Sequence, residues 1–483
     1  MAPTMTRAVA RMTVTPFLLF SALAGAAFGQ NPSESGVVSN VGKRLVPGLP
    51  KPPGVGGASN VLSATTVFLY FDPLQGSSSS DLVQRALSSN AEVSAVRLDI
   101  QRGRARLRQA GLRPNPTFDF EQATGRFTGS LGERETSVGF ALPLELGGKR
   151  QRRIDLARIE LEAAEAEVAD RERRLIADVR TAYAEAMAGV RELEITENLN
   201  NLDIQTARIV EARVTEGESA PLESNLLRVE VDRLKARRAL VEGRLKAAML
   251  RLKTLAGIPA NESLRLGEDL VAPGVPEPPA SVEAAVDIAL RTRPDLRLAR
   301  LTEEAAQAGL RLARAQATPD VTAFSKYTVN RSIFDNTPVG VLRDQDKLLS
   351  FGVSISIPVL NRNQGAKAEA EAAIAQSQKR REFIETMVRF EVASAYARYE
   401  AAQSAMATLE KGVLARSAEN IRSIRGAYEI GAFRVTDLLV EQRRYVDSQR
   451  EFIEAMAERY RALADLQSAI GVAVNSAEKK MTQ

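Results

Sequence analysis

Neither cysteine, histidine nor tryptophan occurs anywhere in the 483 residues. Without cysteine there are no disulfides, no thiolate nucleophile and no lipid attached through an amino-terminal thiol. Without histidine there is no imidazole base, and metal sites built from His and Cys fall with it. Methionine numbers only nine and is scattered, which argues against a relay of thioether ligands for soft metals. No glycine-rich phosphate loop follows a strand and opens a helix. We assign no catalytic residue, no cofactor and no resident metal, and read the protein as a non-enzyme. No stretch reaches 18 uncharged apolar residues, the length a membrane-spanning helix needs, so any crossing of a bilayer falls to strands. Charge of one sign is lacking too. The 65 basic and 60 acidic residues are interleaved, which describes solvated helix faces and excludes nucleic acid as a partner. The one basic run, Lys149-Arg150-Gln151-Arg152-Arg153, reads as a collar beside a membrane strand.

What is present begins with a targeting segment. Arg7 and Arg11 precede an apolar stretch, Pro16 to Phe28, and small residues follow at Ala27-Phe28-Gly29. Residues 1–29 are read as a signal peptide, and without it the net charge falls from +5 to +3. Residues 30–80 are read as an extended amino-terminal arm. Beyond them the chain repeats itself: Ala86 to Pro116 aligns without gaps on Ala289 to Pro319, an offset of 203 positions. The repeats are placed at 81–257 and 281–471, with a Gly/Pro-rich linker at 258–280 and a tail at 472–483. Each aligned stretch predicts one helix of roughly 30 residues, stopped by proline.

Alternating segments follow in each half. Phe118, Phe120, Thr136, Val138, Phe140 and Leu142 alternate with small or polar residues, as do Val321, Ala323, Tyr327, Val329, Phe351, Val353, Ile355 and Ile357. Period two predicts a strand, a loop and a returning strand per half. The loops are placed at Gly125 to Arg134 and, longer, at Asn330 to Lys347. Apolar residues then recur at spacings of three and four from Gln151 to about Glu216 and from Ala366 to about Ile430. The first of these helices would be roughly 100 Å long at 1.5 Å per residue, which is coiled-coil material. Each meets a glycine turn, at Gly217 and Gly431, and returns to a second glycine, Gly257 or Gly471, 40 residues on in both cases.

Four strands cannot close a barrel, and lipid does not tolerate an open sheet edge, so the edges must pair with further copies of the chain. Symmetry allows closed rings of 8, 12 or more strands and leaves the copy number open. The twice-repeated order of strand pair, long helix, glycine turn and return helix resembles the TolC family of outer-membrane efflux proteins. Residues 143–150 (Pro-Leu-Glu-Leu-Gly-Gly-Lys-Arg) and 358–365 (Pro-Val-Leu-Asn-Arg-Asn-Gln-Gly) are similar to its heavy-metal branch, typified by CzcC. The resemblance implies a mainly α-helical protomer that contributes four strands to a trimeric, 12-stranded barrel above a helical tunnel in the periplasm. It implies three kinds of partner besides outer-membrane lipid: two further copies in a homotrimer, a periplasmic adaptor (membrane fusion protein), and an inner-membrane pump of the RND type. It also assigns roles to the turns. Gly217, Leu222, Gly431, Phe433 and Arg434 become adaptor-docking residues. Asp437, six residues after Gly431, becomes a lining residue of the periplasmic aperture, with Glu223 its counterpart in the first half. The family's second acidic position, three residues on, is Val440 here, which breaks the pattern of a doubled acidic ring. A simple helix-start role for Asp437 is the competing reading. The expected function is a passive exit duct for heavy-metal cations. The alternatives are a duct for drugs or other small molecules, a periplasmic adaptor, and a coiled-coil structural protein.

Overall fold

A computed structural model describes residues 66–127, 132–270, 276–334, 340 and 342–471. The signal peptide, most of the arm, part of the linker and the tail lie outside these. The first half comprises α1 (Ser79–Ser89), α2 (Ala91–Ala110), β1 (Thr117–Thr124), β2 (Arg134–Leu144), α3 (Lys149–Thr215) and α4 (Pro221–Ala256). The second comprises α5 (Val282–Thr292), α6 (Pro294–Gln316), β3 (Val321–Phe334), β4 (Leu342–Ile355), α7 (Gln364–Thr408), α8 (Ala415–Glu429) and α9 (Val435–Ile470). A π-helical turn, Leu409–Leu414, joins α7 to α8 around Gly412. Among the described residues no helix is long and apolar enough to cross a membrane.

The single helix expected ahead of the strands is instead two helices in each half, and both breaks fall at the same repeat position. Asn90 leaves the helical region (φ −69°, ψ 122°) and its side chain accepts hydrogen bonds from the backbone of Glu92 and Val93, capping α2. Arg293 also leaves the helical region (φ −64°, ψ 124°), without a side-chain cap, because Pro294 follows it and clashes with a helical residue before it. The breaks are docking points. Asn90 Nδ2 donates to Leu255 O at 3.0 Å, and Thr292 Oγ1 donates to Ile470 O at 2.8 Å. Each thereby ties a short helix pair to the end of a return helix. Gly257, which ends α4, is left-handed (φ +66°), and a Cβ there would sit 2.8 Å from the Ser89 carbonyl oxygen. The return helices α4 and α9 have the same length, 36 residues, as the equal glycine spacings predict.

The strands form one antiparallel sheet in the order β1-β2-β3-β4. Register pairs Phe118 with Phe140, Phe140 with Ser325 and Ser325 with Phe351; the next row is Phe120, Val138, Tyr327 and Leu349. That face is apolar and exposed, with Phe351 76% and Val353 68% accessible. Its apolar rows span seven residues on β2 and on β4, about 23 Å of strand, close to the lipid-facing band of a membrane barrel. The opposite face carries Asp119, Glu121, Ser137, Gly139, Lys326 and Ser350, with Lys326 Nζ 3.1 Å from Glu121 Oε2. The second loop is shorter than expected. β3 and β4 run on through Arg331, Ser332, Asp344 and Gln345, whose polarity conceals a ladder that continues beyond the apolar band.

The basic run ties sheet to helices. Lys149 Nζ reaches Asp320 Oδ1 at 2.8 Å, Arg153 pairs with Glu145, and Arg150 Nε donates to Gly111 O at 2.7 Å. Below the sheet, α3 buries Val179, Ala182, Ala186 and Val190 along a seam shared with α4, α6 and α9. Tyr183 and Tyr460 stack with ring centroids 6.3 Å apart, and burial pushes both phenols up, Tyr460 to about 12. The end of the arm pairs with the linker, Asp72 N donating to Leu266 O and Leu266 N to Tyr70 O, both at 2.8 Å. Tyr183 Oη, donating to Glu268 O at 2.8 Å, fastens this belt to one side of α3.

Candidate functional site

The two hairpin tips are built alike because both sequences place glycine one residue past the helix cap. Gly217 (φ +81°) and Gly431 (φ +75°) are left-handed. The residue after each donates back across the turn, Glu218 N to Arg213 O at 2.8 Å and Ala432 N to Ala427 O at 2.9 Å. This satisfies helix carbonyls that would otherwise be orphaned. Pro221 then starts α4 with its φ already set for a helix. The second return helix starts at Val435, with Arg434 as its cap.

Of the docking candidates, Leu222 and Phe433 are exposed apolar side chains, joined by Ile430, which is 82% accessible and was missed in the sequence reading. Asp437 sits in the first turn of α9, where its Oδ2 accepts a hydrogen bond from Arg434 N at 3.1 Å. That is the helix-start role in full. Glu223 lies in the first turn of α4, and its backbone N–H donates to Ala220 O at 3.0 Å. No contact joins the two carboxylates within one chain among the bonds described.

Just behind the tips the hairpins are bound together. Val210 of α3, Leu227 of α4 and Val435 and Leu439 of α9 form a buried cluster with Ala207, Val214 and Tyr428 against it. Four such side chains contribute on the order of 6–12 kcal/mol of gross burial. The Arg213 guanidinium lies 5.9 Å from the Tyr428 ring centroid.

Deeper still lies a charged group that the sequence reading passed over. Asp203 of α3 is 1% accessible. Arg443 of α9 donates two hydrogen bonds to Glu230 of α4, Nε to Oε1 at 3.3 Å and Nη2 to Oε2. Burial first, and the Glu230 charge second, push the Asp203 carboxyl up to about 7 against the pull of Arg443. The signal in the sequence was spacing. Asp178, Glu185, Glu192 and Asp203 are 7, 7 and 11 residues apart, intervals that keep one face of a helix. That face is roughly opposite Tyr183 and the belt. At the level of Glu185 and Glu192 it floors an open cleft of about 380 Å³ between α3, α4 and α9, walled by Arg244, Arg450 and Arg461. Among the described residues no group of three or more acidic side chains is arranged to hold a metal ion.

The family model described as "Outer membrane efflux protein" matches residues 82–258 and 285–472. The cobalt-zinc-cadmium resistance protein CzcC of Cupriavidus metallidurans is 22% identical over 393 residues, covering 80% of this chain and 88% of that protein. The nickel and cobalt resistance protein CnrC of the same organism is 27% identical over 309 residues, covering 62% and 68%. Among solved structures, CusC superposes with a TM-score of 0.68 at 21% identity, over 82% of this chain and 92% of that one. VceC of Vibrio cholerae gives 0.65 at 18%, over 81% and 96%. With both repeats matched and the strand-pair and hairpin architecture shared, the chain belongs to the outer membrane efflux protein family.

Proposed function

We propose that this chain is one protomer of a trimeric outer-membrane duct that passes heavy-metal cations out of the periplasm, fed by an adaptor and an RND-type inner-membrane pump. The observation that carries the reading is the four-stranded sheet, apolar on one face and mainly polar on the other, where Phe324 and Leu348 are the large apolar exceptions, with β1 and β4 at open edges. Such a sheet is stable in lipid only when its edges pair with those of further copies. Three copies give 12 strands, within the range of outer-membrane barrels. The paired helices below continue the cylinder, and the tips carry exposed Leu222, Ile430 and Phe433, apolar groups suited to an adaptor's helical hairpin. The cargo class rests on the relatives, whose names record resistance to cobalt, zinc, cadmium and nickel. Deletion of the gene in its host should lower tolerance to one or more of these cations and leave drug tolerance unchanged. The reverse pattern would refute the cargo and favour a small-molecule duct.

A further inference from the structure

The interior of the helical bundle holds a charged group that neither the barrel nor the tips require. Asp203 lies on the acidic stripe of α3, at the end nearer the tip. Where the stripe passes Glu185 and Glu192 it faces the open cleft. At Asp203 that cleft is closed, because the Glu230–Arg443 pair reaches across from α4 to α9. Glu230 is 7% accessible while the Arg443 side chain is half exposed, so the pair sits at the edge of the packed interior with its carboxylate on the buried side. Asp203 Oδ1 and Gln442 Oε1 are buried without a hydrogen-bond partner. An orphaned carboxylate oxygen is costly, the more so when charged, unless the group takes up a proton or is rehydrated.

We propose that Asp203, covered by Glu230 and Arg443, is a proton-operated latch that holds the second hairpin's return helix on the first hairpin and resists dilation of the periplasmic entrance. The proposal rests on the duct reading for its consequence, though not for its chemistry. Charged groups face Asp203 from both packed helices, Glu230 from α4 and Arg443 from α9. Behind these, Arg233 lies 4.0 Å from Glu230, and Asp447 acts on Arg443. In the packed state Asp203 keeps its proton up to about pH 7. When the helices part and water enters, it ionises in the ordinary carboxylate range near 4. Packing is therefore favoured most below about pH 4, and the advantage is lost as pH rises through 7. Between these limits the ratio of parted to packed hairpins changes by up to about tenfold per pH unit. Nearer the sheet on the same seam, burial also raises Asp178 and Asp465. They titrate in the same direction, so a single-site variant is needed to isolate Asp203.

Asp203→Asn has the shape of the protonated acid and keeps the helix packing. Purified oligomer in detergent would be followed by hydrogen exchange at residues 435–449, corrected for the intrinsic pH dependence of exchange. Wild type should lose protection from pH 5 to pH 7.5, by up to about 100-fold, and Asp203→Asn should stay protected throughout. Glu230→Gln removes the neighbouring negative charge and weakens the grip of Arg443, so its transition should move to lower pH. Planar-bilayer conductance on the same preparations should rise with pH in wild type and stay low in Asp203→Asn. An Asp203→Asn protein with the wild-type pH response in exchange would overturn the latch. Absence of conductance in wild type at every pH would refute the duct reading instead, and exchange would still decide the latch.

Discussion

Removing the Arg293 side chain tests whether the break between α5 and α6 fastens the second hairpin. Arg293 is 4% accessible. Its Nε and Nη2 grip both oxygens of Asp295, at 3.0 and 2.6 Å, and its Nη1 reaches Glu391 of α7 at 2.7 Å and the Ala469 carbonyl of α9 at 3.2 Å. Burial by itself would raise the Asp295 carboxyl; the hydrogen bonds and charge of Arg293 outweigh it and hold the group below the usual carboxylate range. Arg293→Met keeps much of the volume and deletes the charge, leaving Asp295 buried without its guanidinium partner and with only the Leu296 N–H on Oδ1. Breaking a buried pair in this way costs about 3–5 kcal/mol. For a chain of this size that is a fall on the order of 5 °C in the midpoint of thermal unfolding, read from helical circular dichroism of the detergent-solubilised oligomer. The pH response should reverse as well. In wild type the depressed Asp295 contributes stability above about pH 4, lost as pH falls through its folded pKa, so it adds no slope between pH 7 and 5. In Arg293→Met burial is opposed only by the Arg173 charge and the Leu296 N–H, so the carboxyl rises relative to wild type and the variant should gain stability relative to wild type as pH falls from 7 to 5. Asp295→Asn in that background should recover part of the loss. An unchanged midpoint in Arg293→Met, or a double variant no better than the single, would refute the reasoning.

Gly217→Pro and Gly431→Pro replace positive φ with about −65° and delete the N–H that bonds Val214 O or Tyr428 O. Both should abolish metal tolerance in cells while trimers remain in the outer-membrane fraction, and normal tolerance in both would exclude the tips as docking elements. Asp437→Asn preserves the acceptor for Arg434 N and removes the charge, so stability should hold while cation selectivity and block by multivalent cations in a planar bilayer decline. Glu223→Gln should show a smaller change. Selectivity equal to wild type in both, and in the double variant, would leave Asp437 with its helix-start role alone.

The sequence by itself determined the elements and their order, because each rests on local chemistry. Period two at Phe118 and Phe120, a proline-free heptad-like run from Gln151, and left-handed glycines at 217, 257, 431 and 471 are signals within a few residues of what they specify. Even so, the break at Asn90 was hidden, since an asparagine that caps a helix looks like one exposed within it until Leu255 O is in place to receive its amide. The polar ends of β3 and β4 were hidden for the converse reason: Arg331 and Gln345 pair through backbone groups that carry no side-chain signature. What only the tertiary structure decided is which charges leave water. Asp203, Glu230 and Arg293 read as ordinary members of solvated helix faces. Burial of Asp203 and Glu230 depends on α3 and α4 meeting α9, more than 200 positions further on, and burial of Arg293 depends on α7 and the end of α9. A carboxylate's properties follow from its surroundings rather than its neighbours in the chain, so no local pattern could reveal them.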